Sequence, residues 1–183
     1  NVFFTDGFGS GAEGPATSVN ISTTVSPASL MVNNSYAEYT FGGSGSIAGI
    51  TSLVKTNAGG LRIYTANTYS GGTFLLGGLV VVTNDNALGS LANATTIGNS
   101  TLRFDASATS ARNFTRTGAA GFGVTSNATL SLSGNLTGNG NVTVDVLANS
   151  TATVSGMISG TGSLTKTNDG ALSLTAATNS YVG

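Results

Sequence analysis

Short stretches in which apolar and polar residues alternate, each closed by glycine, asparagine or aspartate, constrain this chain more than any other feature. Thr129–Ser133 reads T-L-S-L-S, Asn141–Val146 reads N-V-T-V-D-V, and Ala171–Thr175 reads A-L-S-L-T. Successive side chains of a strand point to opposite faces, so the pattern predicts strands with one buried face. Gly42-Gly43, Asn57–Gly60, Gly134–Asn141 and Asn168-Asp169-Gly170 separate such stretches, and these residue types accept positive φ. Ser, Thr, Asn and Gly supply 96 of the 183 residues, and all four are weak in helix interiors. The expectation is an all-β chain of many short strands, built as either a sandwich or a solenoid.

An internal repeat favours the solenoid. Ser52–Ile63 reads SLVKTNAGGLRI and Ser163–Leu174 reads SLTKTNDGALSL. After a one-residue shift the match continues, with Asn67-Thr-Tyr69-Ser-Gly71 against Asn179-Ser-Tyr181-Val-Gly183. Glycine-rich lead-ins, Gly43–Gly49 and Gly156–Gly162, precede both copies. A strand–turn–strand motif that returns far along the chain is natural in a one-dimensional stack and rare within a sandwich.

The string formed by Ser52–Ile63, Asn67–Thr73, Leu75–Thr83 and Asn84–Ser90 resembles the autotransporter-associated β-strand repeat. The second copy, Gly160–Gly183, stops where the first continues into Gly72-Thr73. That resemblance implies a right-handed parallel β-helix, or β-solenoid, of stacked Gly/Asn/Thr-rich coils in large surface proteins of Gram-negative-type bacteria. The organisation expected is a single domain over 1–183. Within it come an atypical strand or cap region over 1–41, repeat copy 1 over 42–90, degenerate coils over 91–155 and truncated copy 2 over 156–183. With coils of roughly 20 residues the chain would make about eight or nine turns, with inward Leu, Val, Ile and Phe and outward Thr and Ser.

Composition closes off most chemistry. There are no cysteines, histidines or tryptophans. Disulfides, Cys- or His-ligated metals and histidine-dependent triads are therefore unavailable. Six basic and seven acidic residues leave a net charge of −1, too little for a nucleic-acid footprint. No apolar run approaches the ~20 residues of a membrane helix. The start at Asn1, without methionine or signal peptide, reads as a processed or excised piece.

The remaining motifs favour structural readings. Gly9–Gly14 matches G-x-G-x-x-G, but Pro15 and the strand-like Ser18–Val25 follow where a nucleotide site needs a helix. The carboxylates Asp6, Glu13, Glu38, Asp85, Asp105, Asp145 and Asp169 are unclustered and sit mostly at turns, so no catalytic pair is expected. Asn84-Asp85-Asn86 and Asn139–Asp145 each offer one acid to a cation, too few for calcium. Arg103, Arg112 and Arg116 are expected as solvated outward side chains. N-x-[ST] triplets begin at Asn20, Asn33, Asn93, Asn99, Asn113, Asn127, Asn135, Asn141 and Asn149. No catalytic residue, cofactor or metal is expected.

The functional expectation is a non-enzymatic extracellular structural protein. It would serve either as a stalk segment of a surface adhesin or as a fibre subunit assembling head to tail with itself. For the fibre, the candidate contacts are Val2, Phe3, Phe4 and Thr5 at one end and Ala171, Leu172, Leu174 and Tyr181 at the other; strand addition onto an open edge would join them. The alternative is a carbohydrate-binding or carbohydrate-cleaving β-helix that meets host or cell-surface glycans. Tyr36, Tyr39 and Phe41 form its densest aromatic cluster, although Tyr36 and Tyr39 are expected on opposite faces.

Overall fold

The computed structural model describes residues 1–6 and 17–183. It is a β-solenoid of three parallel sheets, with no α-helix among the described residues. Sheet A stacks Val2–Thr5, Ser29–Asn33, Ser52–Thr56, Thr73–Leu75, Thr95–Ile97, Phe114–Thr117, Leu136–Asn139, Ser159–Thr161 and Ser180–Val182. Sheet B stacks Ser18–Asn20, Glu38–Gly42, Gly60–Ile63, Gly78–Val82, Ser100–Phe104, Ala120–Val124, Val142–Val146 and Leu164–Thr167. Sheet C is confined to the later coils: Ala108–Ser110, Thr129–Leu132, Thr151–Val154 and Ala171–Leu174. In earlier coils the third side is thinner, carried by the Val25–Ile47 bridge and by bonds such as Thr68 N–H to Ile47 O at 2.9 Å.

In-register stacking turns the sequence alternation into ladders, with each coil about 4.8 Å above the last. On sheet B the inward column runs Tyr39, Leu61, Val80, Leu102, Phe122 and Val144, all buried. On sheet A the column Leu30, Leu53, Thr73, Thr95, Phe114, Leu136 and Ile158 faces it. Phe114 and Phe122 meet edge to face across the core, with ring centroids 5.0 Å apart. The outward partners along sheets A and C are chiefly Thr and Ser, as β-propensity on an exposed pleat favours.

Corners are made by Asn and Gly. Asn57, Asn99, Asn127, Asn149 and Asn168 all adopt left-handed backbone, with φ between 53° and 63°. Other corner asparagines replace strand pairing with their side chains. Asn113 Oδ1 accepts the Asn135 N–H at 2.9 Å, and Asn135 Oδ1 accepts the Met157 N–H at 3.0 Å. Asn141 Oδ1 likewise accepts the Ser163 N–H at 3.1 Å.

These ladders explain four of the nine N-x-[ST] triplets. In Asn99-Ser-Thr101, Asn113-Phe-Thr115, Asn135-Leu-Thr137 and Asn141-Val-Thr143 the corner asparagine precedes one inward residue and then one outward threonine. The triplet is the period of a strand leaving a corner. Asn127→Gly is expected to leave stability within a few tenths of a kcal/mol, while Asn127→Val loses about 1–2 kcal/mol at its left-handed corner. Urea denaturation of the two variants checks this.

Candidate functional site

The two repeat copies fold alike but on different corners. In copy 1 the strands Ser52–Thr56 and Gly60–Ile63 belong to sheets A and B. In copy 2 the equivalent strands, Leu164–Thr167 and Ala171–Leu174, belong to sheets B and C. The Lys-Thr-Asn signature is a turn device in both. Lys55 Nζ donates to Thr56 O and Asn57 O at 2.7 and 2.9 Å, and Lys166 Nζ donates to Asn168 O. The Asn-x-Tyr element also repeats its chemistry. Asn67 Oδ1 accepts the Ile47 N–H at 2.8 Å and Asn179 Oδ1 accepts the Ile158 N–H at 2.9 Å. Tyr69 is buried beside Thr73, its hydroxyl 2.8 Å from Thr73 Oγ1. These motif residues therefore serve the architecture.

Two of the three arginines expected in solvent are instead buried. Arg116 shares the face of Phe114 and pairs with Ile97 below and Gly138 above. The guanidinium lies where this column continues through Gly138 and Gly160, both at positive φ, where a Cβ would strike the backbone of the neighbouring coil. There it donates to Gly138 O at 2.8 Å and Ser159 O at 2.6 Å, and also to Gly140 O. Arg112, 1% exposed, binds the Asp85 carboxylate at 3.2 Å and the carbonyls of Asp85, Gly89, Ser90 and Asn93. This arginine ties the short 3-10 helix Asp85–Leu88 to the next coil. Arg112 is buried because turn carbonyls lack strand partners and a guanidinium satisfies several at once, and Arg116 does the same for strand carbonyls of Gly138 and Ser159 and for Gly140.

Lys55 completes this set of inward cations, in the same sheet A column as Arg116. Burial pushes its ammonium down to about 8, against a smaller upward pull from Asp6. Asp6 itself is held below the usual carboxylate range by the Tyr36 backbone N–H foremost, with Ser35 and Ala37 adding to it.

Three other carboxylates are similarly committed, while Asp105 Oδ1 is buried without a partner. Asp85 also accepts from Ser110 Oγ at 2.9 Å, so Asn84-Asp85-Asn86 is a capped turn, with Asn84 Oδ1 accepting the Asn86 N–H. Glu38 pairs with Arg62 at 2.6 Å, and Asp145 with Arg103 at 2.6 Å. No cluster of three acidic residues that could hold a metal occurs among the described residues. Glu13 and the Gly9–Gly14 motif lie outside the described residues. Tyr36 precedes the strand Glu38–Gly42 and is 88% exposed, and Tyr39 within that strand is buried, so the two do not lie on opposite faces of one strand.

At the solenoid ends, Val2 and Phe4 point inward on the first coil, and Phe4 packs on Tyr39 and Phe41 at 5.4 and 5.0 Å. Phe3 and Thr5 point outward beside them. Leu172, Leu174 and Tyr181 continue inward columns at the other end, and Ala171 faces out. Leu174 and Tyr181 are partly exposed because no coil of this chain lies over them.

The outer face of sheet B differs from its neighbours. Charged side chains project from its strands at Glu38, Arg62, Arg103 and Asp145, whereas none projects outward from the strands of sheets A and C. In the strand Ala120–Val124 the two outward positions are Gly121 and Gly123. A shallow cleft crosses the coils here, and Thr101 leans over Gly121, where a Cβ would stand 2.4 Å from Thr101 Oγ1. One part, of about 420 Å³, reaches from Gly78 to Asn168; a second, of about 400 Å³, extends it towards Asn99 and Ala119. Gly121, Thr101 and Thr143 line both parts.

Arg103 crosses the end of this cleft over Gly123. A Cβ there would stand 3.2 Å from Arg103 Nε. Asp145 receives Arg103 on Oδ2, and Thr167 and Asn168 on Oδ1. Arg103 Nε is buried without a partner. Sequence reasoning missed this cleft, although the alternation in Ala120-Gly-Phe-Gly-Val124 places both glycines on one face. The pairing of Arg103 with Asp145 across 42 residues leaves no local signal.

Comparison with known proteins gives one informative match. The chain is 35% identical over 88 residues, 48% of its length, to the adhesin BmaC autotransporter of Brucella suis biovar 1. It spans about 3% of that relative's length. No family model matches the chain, and no solved structure matches it.

Replacing Arg112 with Met is expected to cost about 3–5 kcal/mol, since it strands the buried Asp85 carboxylate; urea denaturation reads the loss. Lys55 predicts a pH dependence of defined sign. Below about pH 8 the ammonium is charged in both folded and unfolded chain, and its desolvation cost is fully present. From about 8 up to 10.5 the unfolded chain holds the proton and the folded chain releases it, so stability rises with pH. In denaturation series across that window, Lys55→Met should lack this rise.

Proposed function

We propose that this chain is a stretch of β-solenoid stalk in a surface-displayed autotransporter adhesin of a Gram-negative-type bacterium, with no enzymatic role. The observation that carries the reading is the 35% identity to an autotransporter adhesin, in a chain whose repeat motifs all serve coil stacking. The small share of that relative which the chain spans fits a segment of a long rod. Asp85, Glu38 and Asp145 are each bound by an arginine, which supports the non-enzymatic reading. No helix among the described residues is long and apolar enough to cross a membrane.

Further coils of a longer chain would cover Leu172, Leu174 and Tyr181 at one end and Val2 and Phe4 at the other. A head-to-tail homopolymer is the second reading, favoured by these uncovered apolar residues at both ends. Antibodies raised against residues 42–183 should label intact cells of the encoding bacterium, and protease treatment of those cells should remove the signal. Labelling seen only after cell lysis would overturn the proposal. Electron microscopy of the purified chain separates the two readings: single short rods are expected for the stalk, and long filaments for the polymer.

A further inference from the structure

We infer that the solenoid end formed by Leu164–Thr167, Ala171–Leu174 and Ser180–Val182 is a docking surface for one kind of coil, a segment with the chemistry of residues 72–90. The inference rests on the reading that this chain is a stretch of a longer rod, and it names what the next coil of that rod must carry. Repeat copy 1 is covered within this chain, by residues 72–90. Copy 2 presents the same groups with no coil of this chain over them, so the cover of the first shows what the second is built to receive.

Three polar side chains of copy 1 reach partners in the covering segment. Lys55 Nζ lies 3.4 Å from Gly77 O, and Lys55 O accepts the Leu76 N–H at 2.8 Å. Gly77 and Gly78 let the chain pass this close to the Asn57 turn, because a Cβ on them would stand 2.8 and 2.3 Å from the carbonyl oxygens of Asn57 and Gly59. Asn67 Nδ2 donates to Ala87 O at 2.9 Å. The Tyr69 hydroxyl meets Thr73 Oγ1, which donates on to Leu88 O at 2.9 Å. Gly89 then closes over the ring, where a Cβ would stand 2.6 Å from it. In copy 2 the equivalents are Lys166, Asn179 and Tyr181, each one side further round the rod. Asn168 repeats the left-handed turn of Asn57, at φ 62° against 63°. Among the described residues Lys166 Nζ donates to Asn168 O alone, and Tyr181 is 38% exposed where Tyr69 is 1%. The docking coil therefore needs a threonine for Tyr181, a glycine pair to cross the Asn168 turn, and a tight turn ending in glycine to offer Asn179 a carbonyl. An apolar strand without them would bury the ammonium and the hydroxyl unpaired, at the full cost of their desolvation. The first coil of a second copy fits less well, since residues 21–24, which would cross the Asn168 turn, contain no glycine.

The test appends a second copy of residues 72–90 to Gly183 of the full chain and follows backbone amide exchange by NMR. The added copy of Leu76 should be held by Lys166 O as Leu76 is held by Lys55 O. Its amide should exchange about tenfold or more slowly than the same residue in an appended segment of scrambled order. Gly77→Val with Gly78→Val, made in the added copy only, should abolish that protection. Tyr181→Phe, which removes only the hydroxyl, should weaken it and leave exchange in the unextended chain unchanged. Fast exchange throughout the added residues overturns the inference. So does equal protection of the scrambled segment, or protection that survives loss of the glycine pair. Failure of the added segment to dock leaves surface labelling of cells untouched, and absence of labelling leaves the docking result standing.

Discussion

A parallel coil pairs its strands with the coils above and below, but at each corner the chain turns and that pairing lapses. Backbone N–H and C=O groups at corners still need partners wherever water is excluded. Two devices meet the need. Asparagine side chains hand one corner to the next through bonds such as Asn113 to Asn135 and Asn135 to Met157. Where corner or strand carbonyls face the interior, Lys55, Arg112 and Arg116 point inward and gather them.

This use of cations changes what the low charge of the chain means. Of six basic residues, three are buried as carbonyl clamps. Arg116 in particular spans two coils beyond its own, reaching Gly138 O on the first and Ser159 O on the second. A charge placed there is costly to desolvate, and it persists because each guanidinium hydrogen that meets a carbonyl recovers part of that cost. The charges left on strand exteriors gather on sheet B, leaving sheets A and C with hydroxyl-rich, uncharged faces.

Much of the architecture was legible in the sequence because a solenoid writes its period into every strand. The alternation in Thr129–Ser133 and Asn141–Val146, the Gly and Asn corners and the repeat all reappear in the coils. The buried cations were partly legible. Leu53 and Lys55 share one parity, as do Phe114 and Arg116, so the alternation itself pointed both charges inward against the usual rule for charge. Arg112 carried no such mark, since it stands outside the strands and its partner Asp85 is 27 residues away. The cleft depends on register between coils, and register follows from the lengths of intervening turns that no local pattern fixes.

The displacement of the repeat from the A–B corner to the B–C corner has a consequence for how such a rod grows. The Lys-Thr-Asn turn closes on its own carbonyls, so it works at either vertex and does not record which side of the prism it occupies. Lengthening by one such unit adds a single side and not a whole circuit. Everything stacked beyond the insertion is then rotated by a third of a revolution about the long axis. A charged flank that looked one way below the insertion looks another way above it, and the rod acquires a new bearing without any new fold.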